Sequence, residues 1–336
     1  MTTNNIKEAA PLIWTEIEKA QSILLHCHLN PDSDSIGSAM ATRQILLNLG
    51  KKVVVIKGDS DLPKWAPFLP GGDQIELKNY FEVDLNEFDL FISQDSSDLE
   101  RISRIKEIVF PDSLRVINID HHASNTNYGH INLVPTDRPA TSQILFELYK
   151  EWGVGITKPV AQCLMAGINS DTGGFIHRGT NSLTFAVAAE LATIAPDFSD
   201  LLNSIYGVAS LLRMKFMGQM MSGIELFFDG RVAMATMSYN DFSQLKLPSK
   251  QEIKQTGLSN MIRNIEGVLI SFILVEDEPG VTGVSARSRN GEKYDVAKLL
   301  GEFGGGGHKA AAGAQIKKPL AEAKADLIVA LTRLLQ

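Results

Sequence analysis

The stretch His28-Leu29-Asn30-Pro31-Asp32-Ser33-Asp34 places one imidazole and two carboxylates in a short turn. It follows an apolar run at 23–25, typical of a buried strand, and precedes residues 35–40, which predict the start of a helix. The proline stiffens the turn, so both aspartates can face the same side of it. Ligands of open α/β sheets bind at this edge, where the strands end. The stretch therefore predicts either a site for a divalent cation such as Mn²⁺ or an Asp-rich loop that only caps the helix.

Strands alternate with helices over the first half of the chain. The predicted strands occupy 23–25, 53–56, 88–92 and 115–119. The predicted helices occupy 6–20, 36–49, 140–152 and 159–169. This order implies an α/β fold with a mostly parallel sheet that carries helices on both faces.

Acidic side chains recur where these elements end. Asp32, Asp95 and Asp120 each follow an apolar strand, and Asp171 ends a helix beside a glycine pair. A lone aspartate of this kind is more often a turn or cap residue, and a lone histidine is more often a buried or surface group. Their collection at one edge of a sheet favours a two-metal site, in which the ions lie roughly 3.5–4 Å apart. The candidate ligands are His28, Asp32, Asp34, Asp95, His121 and Asp171.

Length and composition limit the classes of function. The chain has 336 residues, enough for two domains, and its net charge of −7 argues against a wide basic surface that binds long nucleic acid. This charge is compatible with a short anionic substrate held by metals and a few arginines. The two cysteines lie in apolar runs, which favours a reducing, cytoplasmic setting. Residues 1–8 lack a signal-peptide core, and the longest apolar run, 268–275, is too short to span a bilayer.

The pattern changes after residue 182, where helical spacing continues to about residue 223. Strands are predicted again at 231–237 and 268–274, and a last helix is predicted at 320–335. We therefore expect a metal-binding catalytic domain, a helical linker and a second, smaller α/β domain. Their expected bounds are 1–190, 191–226 and 227–336.

Five segments, in this order, resemble the motifs of the DHH phosphoesterase family and of the DHHA1 domain that follows it. They are His28-x-Asn30-Pro31-Asp32-x-Asp34, Asp95, Asp120-His121-His122, Asp171-Thr172-Gly173-x-Phe175 and Gly305-Gly306-Gly307-His308-x-Ala310-Ala311-Ala312-Gly313. Each segment alone would occur by chance, but together they cover nearly the whole chain at family-like spacing. The layout is similar to the short NrnA-like members, of the nanoRNase and pAp-phosphatase type. The resemblance implies an active site in the cleft between the two domains.

The resemblance also implies two divalent ions that share one ligand. The first ion would be bound by His28, Asp32 and Asp95. The second would be bound by Asp34, Asp95, His121 and Asp171, so that Asp95 bridges the pair. Mn²⁺ is the expected ion, with Mg²⁺ and Co²⁺ as alternatives.

Two further residues receive roles from the same resemblance. Asp120 would fix the tautomer of an imidazole from outside the metal shell. His122 would face the scissile phosphate. The expected catalytic residues are therefore Asp95, Asp120 and His122, with the ions neutralising charge during in-line hydrolysis.

The second domain is expected to bind the substrate. Arg287 and Arg289 lie on a predicted strand, and arginine is well shaped for bidentate contact with phosphate. The run Gly305-Gly306-Gly307 offers unhindered backbone N–H groups, and a helix beginning at about His308 would add a favourable dipole. The alternative is a flexible glycine loop beside a solvated basic strand.

These observations favour a Mn²⁺-dependent phosphodiesterase that degrades very short oligoribonucleotides to 5′-mononucleotides, with pAp as a second substrate. One alternative is the same chemistry on a cyclic dinucleotide or on a linear product such as pApA. Another is a catalytically silent nucleotide-binding protein. The expected partners are short single-stranded RNA or small nucleotides, without a long duplex or a membrane, and both a monomer and a homodimer remain open.

Overall fold

The structure, a computed structural model, describes residues 1–177, 179–207, 210–245 and 257–335. It divides into two compact units, residues 1–208 and 209–336. The two-domain α/β class is therefore confirmed. The boundaries expected at residues 190 and 226 stay predictions, and residues 246–256 of the expected second domain lie outside the described residues.

A six-stranded sheet forms the centre of the first unit. Its strands are β1 (Thr2–Thr3), β2 (Ser22–His26), β3 (Lys52–Ile56), β4 (Leu90–Gln94), β5 (Arg115–Ile119) and β6 (Ile131–Leu133). They lie in the order β1-β6-β5-β4-β2-β3, and every pairing is parallel. The pattern does not predict β1 and β6, because strands of two and three residues carry no periodicity.

One face of this sheet is covered by α-helices. They are α1 (Ile6–Lys19), α2 (Ser33–Asn48), α3 (Thr141–Glu151), α4 (Lys158–Asp171), α5 (Ser182–Ile194) and α6 (Phe198–Leu202). Helices α2 and α4 approach very closely, since a methyl group at Gly37 would overlap the carbonyl oxygen of Cys163. This contact packs the first half of α2, which carries Asp34, against the middle of α4, which ends at Asp171.

The opposite face carries a second apolar core formed by residues such as Leu24, Phe91 and Val116. It is covered by the segments 57–89 and 96–114, in which the helical pieces are short 3₁₀ turns instead of α-helices. The prolines and the glycine pair between residues 63 and 72 explain part of this difference, because they interrupt helical hydrogen bonding.

The second unit contains a mixed six-stranded sheet. Its strands are β7 (Glu225–Phe227), β8 (Val232–Met237), β9 (Ile270–Glu278), β10 (Val281–Ser288), β11 (Gly306–His308) and β12 (Ala311–Ile316). They lie in the order β11-β12-β10-β9-β8-β7, and all pairings are antiparallel except that of β8 with β9.

Helices pack on both faces of this second sheet. They are α7 (Leu211–Ser222), α8 (Tyr239–Leu245), α9 (Leu258–Arg263), α10 (Val296–Gly301) and α11 (Leu320–Leu335). One core joins the sheet to α10 and α11, and the other joins it to α7 and α9. The helix expected to begin at about His308 is wrong, because Gly306–His308 forms the edge strand β11 and pairs with residues 311–313 of β12.

Candidate metal centre

The carboxyl ends of β4 and β5 place two buried aspartates side by side. Asp95 continues the ladder after β4, since its N–H donates to the carbonyl of Ile119 over 3.0 Å. Asp120 follows β5 in the same way, with its N–H donating to Leu133 over 3.0 Å. Asp95 then adopts a left-handed backbone with φ of 53°, which is uncommon for a residue other than glycine. This strained turn aims the Asp95 carboxylate back across the end of the sheet.

The position of Asp32 is compatible with both functions that the sequence left as alternatives. Its Oδ1 caps α2 by accepting from the N–H groups of Asp34 and Ser35, each over 3.0 Å. Its Oδ2 lies 3.7 Å from Nε2 of His28. A cap residue can therefore also present an oxygen to a cation, because the carboxylate has two oxygens and only one of them serves the helix.

Asp34 is held by a feature that the sequence does not reveal. Its carboxylate is fully buried and accepts from the backbone N–H groups of Thr141 over 2.7 Å and Ser142 over 2.9 Å. These two amides begin α3, where free N–H groups and the helix dipole favour a negative charge. A methyl group at Gly167 would overlap Ser142 Oγ, so the glycine in α4 makes room for this arrangement.

The structure brings both expected ligand sets together. In the first set, Nε2 of His28 lies 3.2 Å from Oδ2 of Asp95 and close to Asp32. In the second, Nε2 of His121 lies 3.4 Å from Oδ1 of Asp95 and 3.3 Å from Oδ2 of Asp171. The donor atoms within each set, with Asp34 in the second, all lie within 4.8 Å of one another. Asp95 belongs to both sets, and each of its oxygens faces a different histidine.

The ionisable groups of this cluster shift one another's pKa values. Burial alone would lower the pKa of the two histidines, but Asp32 and Asp95 raise the pKa of His28 to about 10, and Asp171 and Asp95 raise that of His121 to about 11. Burial opposes ionisation of Asp95, yet the adjacent imidazoles of His121 and His28 hold its pKa below the usual range. Burial and neighbouring carboxylates raise the pKa of Asp34, and that of Asp171 to about 6. The cluster therefore depends on a positive charge at its centre.

The donor chemistry fits a divalent cation. Nε2 of His28 and Nε2 of His121 are buried and have no well-directed hydrogen bond to any described residue. A set of imidazole nitrogens and carboxylate oxygens without thiolates suits ions such as Mn²⁺. Several buried carboxylates repel one another unless a positive charge lies between them, which also favours a bound cation. A third grouping of Asp95, Asp120, His121 and His122 is also close enough to bind an ion. In that grouping, however, Nδ1 of His122 is already engaged by Oδ1 of Asp120 at 2.7 Å.

The expected substrate-binding residues lie in the second unit. Arg287 of β10 donates to its own strand, to Ala286 O over 2.9 Å and Ser285 Oγ over 3.4 Å, and among the described residues no carboxylate lies within ion-pair distance of it. Burial lowers its pKa, as does the neighbouring Arg263. The sheet register places Arg287 opposite Ala311, which in turn lies opposite His308. A guanidinium without an acidic partner remains available to an anion.

The other expected binding residues are engaged within the second unit. Arg289 donates from Nε to the carbonyl of Arg263 over 3.0 Å and from Nη2 to that of Ile265 over 2.8 Å, at the end of α9. Methyl groups at Gly305 and Gly307 would overlap the backbone of β12, so both glycines allow close packing of the edge strand. Gly306 faces open space. The structure thus gives Arg289, Gly305 and Gly307 structural contacts of their own.

Comparison with known proteins places this geometry in a family. Residues 22–168 match the DHH family, N-terminal domain, and residues 243–336 match the DHHA1 domain. The chain is 31% identical over 296 residues to the bifunctional oligoribonuclease and PAP phosphatase NrnA of Thermus thermophilus, covering 88% of this chain and 84% of the relative. The chain belongs to the DHH family. The resemblance stated from the motifs is therefore confirmed.

Two further similarities extend over both units. NrnA of Bacillus subtilis is 28% identical over 298 residues, covering 88% of this chain and 89% of the relative. The crystal structure of an exopolyphosphatase-related protein from Bacteroides fragilis is 25% identical and superposes with a TM-score of 0.87, covering 98% of this chain and 96% of that one. Within the described part of the chain, no helix is both long and apolar enough to cross a membrane.

Proposed function

We propose that this DHH-family chain is a divalent-metal-dependent phosphodiesterase that hydrolyses very short oligoribonucleotides to 5′-mononucleotides and removes the 3′-phosphate of pAp. The observation that carries the chemistry is Asp95, whose two oxygens join a His28 set to a His121 set. The substrate class rests on the likeness to the NrnA relatives, which extends over both units. Two ions that share one ligand are typical of phosphoryl-transfer sites.

Each residue receives a distinct role in this proposal. His28, Asp32 and Asp95 would hold one ion, and Asp34, Asp95, His121 and Asp171 the other. When bound, the ions supply a water of lowered pKa and neutralise charge on the reacting phosphate. We propose Mn²⁺ as the working ion, with Mg²⁺ and Co²⁺ as alternatives, because hard oxygen ligands predominate in both sets.

The remaining residues bind and orient the substrate. Asp120 accepts a hydrogen bond from Nδ1 of His122, which leaves Nε2 of His122 able to contact the scissile phosphate. Arg287, with His308 two strands away in the same row of the second sheet, would bind a phosphate at the other end of the substrate. Backbone N–H groups of the Gly305–Gly307 segment would add contacts to it.

One experiment separates this function from its rivals. Purified protein with Mn²⁺ is assayed side by side on RNA dinucleotides, RNA 20-mers, pAp and cyclic di-AMP. We expect fast turnover of dinucleotides and pAp and slow turnover of 20-mers. Preference for cyclic di-AMP would assign the same chemistry to a cyclic dinucleotide. No turnover of any substrate with Mn²⁺, Mg²⁺ or Co²⁺ would leave a nucleotide-binding protein.

A further inference from the structure

A continuous chain of hydrogen bonds runs from His122 into the sheet. Nδ1 of His122 pairs with Oδ1 of Asp120, and Nδ2 of Asn125 donates to Oδ2 of Asp120 over 2.6 Å. Asn125 also donates to Oδ1 of Asn118 over 2.8 Å, and Nδ2 of Asn118 donates to the carbonyl of Ser96 over 3.1 Å. Asp120 and Asn118 are fully buried, so water does not compete for their hydrogen bonds.

The carbonyl of Ser96 determines the direction of the bonds made by the two asparagine amides, because a carbonyl oxygen can only accept. Asn118 must turn its Nδ2 towards Ser96, which leaves its Oδ1 as an acceptor. Asn125 must then donate through Nδ2, and its own Oδ1 accepts from the N–H of Asn127 over 2.7 Å. The Asp120 carboxylate therefore accepts at Oδ2. Because an ionised carboxylate can only accept, its Oδ1 pairs with Nδ1–H of His122, and the neutral imidazole then has no proton on Nε2.

The turn at residues 125–128 also holds the loop that carries Asp95. Ser96 follows Asp95 directly, and its carbonyl also accepts from the hydroxyl of Tyr128 over 3.1 Å. The N–H of Thr126 donates to the carbonyl of Ser97 over 2.8 Å. The turn at 125–128 thus fastens the Asp95 loop and the Asp120–His122 pair to each other, and Asn125 is the side chain that bonds to Asp120.

We propose that Asn125 is a positioning residue, which holds Asp120 as a double acceptor and thereby fixes His122 with its proton on Nδ1 and Nε2 directed to the substrate. Asn125 belongs to neither ligand set, so it acts only through Asp120. The catalytic consequence rests on the proposed function. The tautomer of His122 does not, and it can be measured without turnover.

The first test measures that tautomer. Long-range ¹H–¹⁵N spectra of the full chain without added metal report which ring nitrogen of each histidine carries the proton, and the spectrum of His122→Gln assigns the His122 signals. We expect Nδ1–H in the wild-type protein and a shift towards Nε2–H in Asn125→Ala. The Nε2–H tautomer in the wild-type protein, or an unchanged tautomer in Asn125→Ala, would overturn the proposal.

The second test is kinetic. On RNA dinucleotides, Asn125→Ala should lower kcat about 10- to 100-fold, with KM changed less than about threefold and metal content unchanged, since outer partners of metal and catalytic groups have effects of this size. Asn125→Asp, which keeps the size but removes both donors, should lose at least as much. The matched control is Thr126→Val, which removes a neighbouring side-chain bond of 3.3 Å to Ser97 and should keep the wild-type kcat.

The outcomes separate the two proposals. Suppose that the wild-type enzyme is active. Asn125 would then be only a structural turn residue if Asn125→Asp kept the wild-type kcat, or if Thr126→Val lost as much kcat as the Asn125 variants. An inactive wild-type enzyme would contradict the proposed function, while the tautomer would still decide the positioning role. If Asn125→Ala does not fold, the proposal is tested by the tautomer of His122 in the wild-type protein and by the kcat of the isosteric variant Asn125→Asp.

Discussion

Asp95 joins two histidines that lie on different elements, and both ligand sets depend on it. We predict that Asp95→Ala lowers kcat more than about 100-fold, which exceeds the usual effect of removing an outer partner of a metal ligand. We also predict that this variant loses at least one bound ion. Circular dichroism and metal analysis check the fold and the occupancy. Asp61→Ala is the control, since the Asp61 side chain is 93% exposed and should behave as wild type. A near-wild-type rate of Asp95→Ala at saturating Mn²⁺ would contradict the two-metal assignment.

His121 and His122 both lie near Asp95, but the shortest contact of His122 is with Asp120, so their variants should differ. Nε2 of His121 faces Asp95 and Asp171, whereas Nδ1 of His122 faces Asp120. We predict that His121→Ala loses bound metal, and that His122→Ala keeps its metal while its kcat falls about 10² to 10⁴-fold, the range for a group that acts directly on the reacting atoms. Metal content and kcat are measured on both variants. Equal metal loss in the two would show that His122 is also a ligand.

The gathering of six donor side chains could be predicted because residue type and position at the ends of strands and helices are both visible in the sequence, while their role as ligands stays a prediction. The contacts that hold them could not be predicted. Asp34 depends on the amides of Thr141 and Ser142, and a backbone amide has no signature in the sequence. Asn125 was equally invisible, because its role depends on where a turn after Asp120 folds back. Local chemistry can be predicted from residues, whereas pairings across distant segments need the fold.

At the scale of elements, the carboxylate of Asp89 links the beginnings of two neighbouring strands. Oδ2 of Asp89 accepts from the N–H groups of Ser22 over 3.0 Å and Gln21 over 2.8 Å, joining β4 to the start of β2. These bonds hold the pKa of Asp89 below its usual range. Its stabilising effect is therefore fully present above the pKa of the unfolded chain and is lost as the pH falls through the folded pKa.

We predict that Asp89→Asn lowers the free energy of unfolding by about 1 kcal/mol at pH 7, since a neutral amide oxygen is a weaker acceptor than a carboxylate. The difference should shrink as the pH falls to 4 and below, because protonated Asp89 then resembles asparagine. Urea unfolding of both proteins across this pH range gives the difference. A gap that widens on acidification would rule out the carboxylate as its source.

Elements with long, regular patterns were predictable, and elements defined by pairing were not. The strands β2 to β5 and the helices α1 to α5 follow from apolar runs and helical spacing. The edge strand β11 does not, because glycines carry no hydrophobic pattern. Gly307 has a φ of 144°, and its place in a strand is defined by the pairing of β11 with β12. The expected helix at His308 was wrong for this reason.

At the scale of the whole molecule, the proposed function needs a second contact with the substrate. The order of two α/β units could be predicted from the chain, and an active site in a cleft between them stays a prediction. Two arginines of the second unit were expected to bind substrate, and their surroundings differ. Among the residues that the structure describes, Arg287 donates to a backbone carbonyl and a hydroxyl of its own strand, whereas Arg289 holds the end of α9. The pair therefore offers a matched comparison of a binding and a structural role.

We predict that Arg287→Ala lowers kcat/KM on RNA dinucleotides and pAp roughly ten- to a hundredfold, since a charge-assisted contact with phosphate contributes about 1.5–3 kcal/mol. Loss of a remote contact should lower kcat as well as raise KM, because that contact helps to orient the reacting phosphate. The loss should be far smaller on bis(p-nitrophenyl) phosphate, which has a single phosphate group, and metal content should not change. Arg289→Ala serves as the comparison and should reduce thermal stability more than substrate selectivity, because its guanidinium bonds to two carbonyls. An equal loss on all substrates in Arg287→Ala would leave the second unit without a role in measuring substrate length.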